Sequence, residues 1–154
     1  MNKEKPIRRD KSLMPLSREH HHSLLLCWKI RTGFSKGVET ARIKRYADWF
    51  FENHLQPHFR EEEEHIFPIL GENHELVKKA IGDHRRLSRL FKEQKDVEKS
   101  LNKIEELLES HIRFEERVLF NEIQAVASPE QLEQVTAHNA ESPFKDNTED
   151  EFWL

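Results

Sequence analysis

The stretch HFREEEEHIFP at residues 58–68 has a second copy, HIRFEERVLFN, at residues 111–121. His58 matches His111, Arg60 matches Arg113, Glu62-Glu63 matches Glu115-Glu116, and Phe67 matches Phe120. In both copies a glutamate follows a histidine by four residues, which on a helix stacks the two side chains on one face. An imidazole over a carboxylate is a pair of metal-donor groups. At roughly 100° per residue, Ala47, Phe51 and Ile69 project close to His58, with Glu62 just beside them. Ile104 and Val118 flank His111 in the same way, with Glu115 beside it. Both His/Glu pairs are therefore predicted to face a core.

Burying two carboxylates and several imidazoles without partners costs several kcal/mol. Lys and Arg are scarce on these stripes, so the expected neutraliser is one dication or two. Imidazole with carboxylate suits Fe, Mn or Zn better than Ca or Mg. The repeat sorts the glutamates. Glu61 has Phe114 as its counterpart, which cannot bind a metal. Glu63 and Glu116 project about 140° from their histidines and are expected to face water. Each copy is preceded by a helix that carries a histidine. His84 has Leu87 and Phe91 three and seven residues on, and His21 shows the same pattern with Leu24 and Trp28. His20 matches by its preceding acid instead, Glu19-His20 resembling Asp83-His84. The candidate metal set is His21, His58, Glu62, His84, His111 and Glu115, with His20 the second candidate in the first helix and His22 a surface residue.

These residues need long amphipathic helices to hold them. Residues 1–15 form a basic arm. A first helix is expected from about Arg18, with Ser17 as N-cap, to the glycines at 33 and 37. A second runs from near Val38 to Gly71 with a kink at Pro57, where a backbone donor is missing. A third covers roughly Glu72 to Lys95, and its boundary with the fourth, which stops near Ser128, carries no Gly or Pro. SPEQ at 128–131 reads as N-cap, Pro at the first helical position and Gln at the third, opening a short helix to about Ala140. The acidic end is expected to be irregular, with Phe144, Phe152 and Trp153 docking on the bundle or on another subunit. No segment alternates with period two. The fold class is all-α: an up-down-up-down four-helix bundle over residues 16–127, then a short extra helix and acidic tail over 128–154, with irregular termini.

Composition narrows the function classes. The 154 residues suffice for one domain, and only four are Gly. Ten histidines exceed what packing alone asks of a soluble domain. A net charge of -4 gives none of the positive field of a nucleic-acid binder. No apolar run approaches the ~18 residues of a membrane span. A single cysteine, Cys27, excludes an internal disulfide and suits a reducing compartment, so a cytoplasmic protein is expected. Cys27, Trp28 and Trp49 are expected in the core. His74 and His138 read as surface or capping residues.

The elements SREHH, HFREEEEHIFP, DHRRL and HIRFEERVLF, in that order over about residues 16–127, resemble the hemerythrin family of HHE cation-binding domains. Ferritin-like bundles carry Glu and His in the opposite order. The resemblance implies a four-helix bundle with two irons under an oxo or hydroxo bridge. His21 and His58 would hold one iron, His84 and His111 the other, and Glu62 and Glu115 would bridge them. Oxygen-carrying hemerythrins have a further histidine one turn before the third-helix ligand, where this chain has Ala80. That departure argues against simple reversible oxygen carriage. His54, one turn before His58, is a candidate fifth ligand or a partner of one, and His65 a core histidine. The expected function is binding of oxygen, nitric oxide or iron for sensing, carriage or storage. The alternatives are a di-iron enzyme (an oxidase, a peroxidase, or a nitric-oxide-reducing or iron-repair protein) and a regulatory protein that assembles through its tail.

Overall fold

The computed structural model describes residues 8–138 and 143–154, so residues 1–7 of the basic arm and the expected helix end at Ala140 lie outside the described residues. All regular structure among the described residues is helical, as in a helical bundle. Helix α1 is Met14–Ser35. Helix α2 covers residues 40–69 and is composite: α-helical Thr40–Phe50, a π turn Phe51–Leu55, α-helical Gln56–Glu61, a second π turn Glu62–Ile66, and a 3-10 turn Phe67–Ile69. Helix α3 is Glu75–Lys92. Helix α4 covers residues 97–126 and has one π turn, Glu115–Leu119. Helix α5 is Pro129–His138.

The helix ends follow from local chemistry. Helix α1 begins at Met14, earlier than the expected Arg18, because Pro15 sits in the first turn, where a missing N–H costs nothing. Ser17 is therefore not the N-cap; it lies inside the helix, and its hydroxyl donates to Glu116 on α4. The His74 side chain caps α3 by accepting from the Leu76 N–H. Asp96, at φ 50°, turns the chain between α3 and α4 where no glycine is available. The Ser128 hydroxyl and the Gln131 amide cap α5 reciprocally.

The expected kink at Pro57 takes the form of the π turn just before it. The Gln56 N–H bonds the Phe51 carbonyl five residues back, so an extra residue is accommodated next to the position that lacks a donor.

Two apolar clusters lie at opposite ends of a central polar layer. One holds Phe50, Phe51, Leu87, Phe91 and Leu108, and the other Leu16, Ile66, Phe67, Leu119 and Phe120. The acidic tail docks on the first cluster. Phe152 and Trp153 are buried there, Arg42 pairs with Asp150, and the buried Lys29 donates to Tyr46 and Asp146. Gly33 is required under the tail, since a Cβ there would come within 2.8 Å of both Ile43 and Phe152. Cys27 is fully buried as expected, and burial pushes its thiol up to about 12.

Two expected core residues are not core. Trp28 is 46% exposed and Val118 is 44% exposed. For Val118 the reason is the π turn, whose extra residue shifts the inward position by one, to the fully buried Leu119. The tail's packing has a direct test. Replacing Phe152 with Ala should lower unfolding stability by about 3 kcal/mol, as for other buried aromatic truncations. An unchanged urea midpoint would show that the tail is not part of the core.

Candidate metal centre

The polar layer contains seven buried titratable side chains: His20, His58, Glu62, Asp83, His84, His111 and Glu115. Helix α1 supplies His20, α2 supplies His58 and Glu62, α3 supplies Asp83 and His84, and α4 supplies His111 and Glu115. Glu62 and Glu115 each open a π turn, and both have 0% exposure.

Donor atoms converge in two overlapping groups: His20, His58, Glu62 and Glu115, and Glu62, His84, His111 and Glu115, the atoms of each group lying within 4.8 Å of one another. His20 Nε2 is 3.1 Å from Glu115 Oε1 and 3.1 Å from His58 Nε2. His58 Nε2 is 3.4 Å from Glu62 Oε1, which is 3.2 Å from His84 Nε2. His111 Nε2 is 3.0 Å from Glu115 Oε1.

Five of the six residues expected from the sequence meet here, and the sixth does not. His21 is exposed, and His20, at 3% exposure, stands in its place. The buried stripe of α1 includes Leu16, His20, Ser23 and Cys27, while of the two residues that favoured His21, Leu24 is only part-buried and Trp28 is exposed. The useful signal was the acid before the histidine, shared by Glu19-His20 and Asp83-His84.

Of the glutamates expected to face water, Glu63 is exposed and Glu116 partly so, and both also reach sideways to another helix. Glu63 accepts from His84 Nδ1 at 2.9 Å, and Glu116 from His20 Nδ1 at 2.8 Å. Asp83 accepts from His111 Nδ1 at 3.0 Å. A wheel of one helix cannot show such contacts because they cross between helices. The outer carboxylates are held in turn by Arg9 and Ser17 at Glu116, and by Lys79 and Arg86 at Asp83.

Of the remaining histidines, His54 packs against Trp49, Phe50 and Phe144 and belongs to neither donor group. His65 is not a core residue; it is part-exposed and stacks on His138. His22 is half-buried under Phe144, where a bare surface position was expected.

The protonation pattern follows from burial and from the neighbouring charges. Burial and the charge of Glu115 push Glu62 up to about 8. Burial alone would raise Glu115 too, but His111, Glu62 and His20 outweigh it and hold it well below the usual carboxylate range. Burial opposes charge on His111, yet Glu115 and Asp83 push it up to about 10, and carboxylate partners likewise raise His20 and His84. Protons thus do part of a cation's work. Glu62 Oε1 and Oε2, His84 Nε2, His111 Nε2 and Glu115 Oε2 are buried without a hydrogen bond from the described residues. Unpartnered nitrogen and oxygen donors that converge on shared points fit a borderline transition-metal ion, and the residues present therefore fit the metal that the sequence leads one to expect.

A family model described as Hemerythrin HHE cation binding domain matches residues 15–123 of the chain. No curated protein and no solved structure gives a significant match. Among the described residues no helix is long and apolar enough to cross a membrane.

The chelator-treated protein should lose stability as pH rises from about 5 to about 9. Glu62, His20, His84 and His111 all bind their protons more tightly folded than unfolded. Their contributions are fully present below the ordinary values and are lost as pH climbs through the raised ones. For Glu62 that window runs from 4.5 to about 8, and for His111 from 6.5 to about 10. Urea midpoints that rise across this range would contradict the assignment.

Proposed function

The chain belongs to the hemerythrin HHE cation-binding family, and we propose that it is a non-heme di-iron protein that binds oxygen, nitric oxide or iron for sensing, carriage or storage. In this reading His20, His58, Glu62 and Glu115 hold one iron, and Glu62, His84, His111 and Glu115 hold the other. The observation that carries it is the sharing of both buried carboxylates by both donor groups. Two carboxylates common to two sets of imidazoles are what a pair of adjacent ions needs, and a single ion held by one group would leave two of the four imidazoles unused.

Iron held in this way would supply redox chemistry toward a small diatomic ligand. The protein's own residues would do three things. The imidazoles and inner carboxylates would give up the protons that neutralise the layer and bind the ions through the freed atoms. Glu63, Glu116 and Asp83 fix the tautomers of His84, His20 and His111 by accepting from Nδ1, which leaves Nε2 for the metal. Phe59 and Phe67, stacked on His84, and Phe120, stacked on His20, keep water from the centre. An up-down-up-down path of α1 to α4 accounts for the pairing of Arg9 with α4 near Asn121 and of Arg31 with Glu109. The free, buried Cys27 accords with a reducing, cytoplasmic setting.

A second reading, a di-iron enzyme, draws on Ala80. It is fully buried one turn before His84, so α3 offers no further donor at the place where oxygen carriers have one. Repeated turnover of peroxide or nitric oxide would support this reading, and a stoichiometric reaction alone would exclude it. The primary test is metal analysis of freshly purified protein. Two irons per chain are expected, lost in the Glu62→Ala/Glu115→Ala variant; one zinc per chain would overturn the di-iron reading. Carriage or sensing further requires that the reduced protein give a spectral change with oxygen or nitric oxide that reverses when the gas is removed.

A further inference from the structure

The two halves of the centre have matching inner donors but unequal support. In the half formed by His84 and His111, both outer nitrogens are engaged: Glu63 accepts from His84 at 2.9 Å and Asp83 from His111 at 3.0 Å. Asp83 is 1% exposed and is itself held by Lys79 and Arg86. Phe59 stacks flat on His84, with ring centres 3.8 Å apart.

In the other half, only His20 is secured, by Glu116 at 2.8 Å. His58 Nδ1 is buried and receives no hydrogen bond among the described residues. Its nearest carboxylate, Glu19, stands where Asp83 stands in the other half. Glu19 is 46% exposed and 3.5 Å away, outside hydrogen-bond geometry. The repeat also breaks at the stacking position, where Ile112 corresponds to Phe59.

We propose that the two ends of the centre hold metal unequally: the His84/His111 end retains its ion, and the His20/His58 end exchanges it. The inference rests on the di-iron reading. A histidine whose outer nitrogen is fixed by a carboxylate is already in the ligating tautomer and orientation, and losing that partner typically weakens metal binding about 10–100-fold. Asp83 is thus a positioning residue for His111, and His58 has no equivalent. An exchangeable end would let the chain deliver or accept one iron while the retained ion keeps the bundle closed.

The test is iron release from the anaerobically loaded full chain to the ferrous chelator ferrozine. Two phases of equal size are expected, their rates at least about tenfold apart. His58→Ala should abolish the fast phase and keep the slow one, and His111→Ala should do the reverse. Asp83→Asn should bring the slow phase toward the fast one, and Glu19→Gln should shift neither by more than about twofold, because its contact is already outside hydrogen-bond range. A single phase in the unmodified protein, or loss of the slow phase in His58→Ala, would overturn the inequality while leaving a di-iron centre intact. A chain that takes up no iron at all would instead overturn the di-iron reading.

Discussion

Two carboxylates, Glu62 and Glu115, face each other at the centre of a helical bundle with no exposure to water. Like charges in that position repel strongly, and burial alone penalises each of them. The surrounding residues are arranged to offset that cost in alternating layers of charge. Four imidazoles surround the pair, three acids (Glu63, Asp83 and Glu116) back three of those imidazoles, and Arg9, Lys79 and Arg86 back two of the acids. Burial and the neighbouring carboxylates raise the proton affinity of Glu62, and the carboxylates raise that of His20, His84 and His111 against burial.

A polar layer of this size contributes little apolar packing, so the ends of the bundle must supply it. The cluster around Phe67 and Phe120 closes one side of the layer. The larger cluster on the other side is completed by the chain's own tail through Phe152 and Trp153. The aromatic tail, which from sequence had either the bundle or another subunit as its partner, thus finds its place on the bundle. Lys29 shows the same economy of contacts: its ammonium is buried but sits over the Trp153 ring and against Asp146, so its charge is paired.

Much of this was legible because the chemistry is repeated. The second copy of the motif separated Glu62 from Glu61 by pointing to Phe114, and the facing argument brought His58, His84, His111 and both inner glutamates to one place. What the sequence did not disclose has two physical causes. A constant turn angle cannot be carried through a π turn, so Val118 was expected inside where Leu119 lies. Contacts between helices cannot be read from the periodicity of one, so it does not reveal the bonds that Glu63 and Glu116, part-exposed as expected, make to His84 and His20. The choice of His21 over His20 failed for a related reason. It relied on Trp28 as a core marker, and large apolar residues do appear on surfaces. The acid before the histidine, shared by Glu19-His20 and Asp83-His84, is the more physical guide, since in the second dipeptide Asp83 bonds His111 of the following helix.

The direction of these contacts also explains why neither helix pair can form the centre alone. Glu115 and Glu116, from the second pair, hold the two nitrogens of His20 in the first. Glu62 and Glu63, from the first pair, stand against the two nitrogens of His84 in the second. The contacts of Asp83 with His111, of Glu19 with His58 and of His20 with His58 stay within a pair. A lone pair would leave its inner carboxylate without the other pair's imidazole and its first-helix imidazole with no acid behind it. The exchange of Glu-Glu dipeptides between the two halves therefore ties closure of the bundle to completion of the donor set, and an ion bound there stabilises the association of the halves together with its own site.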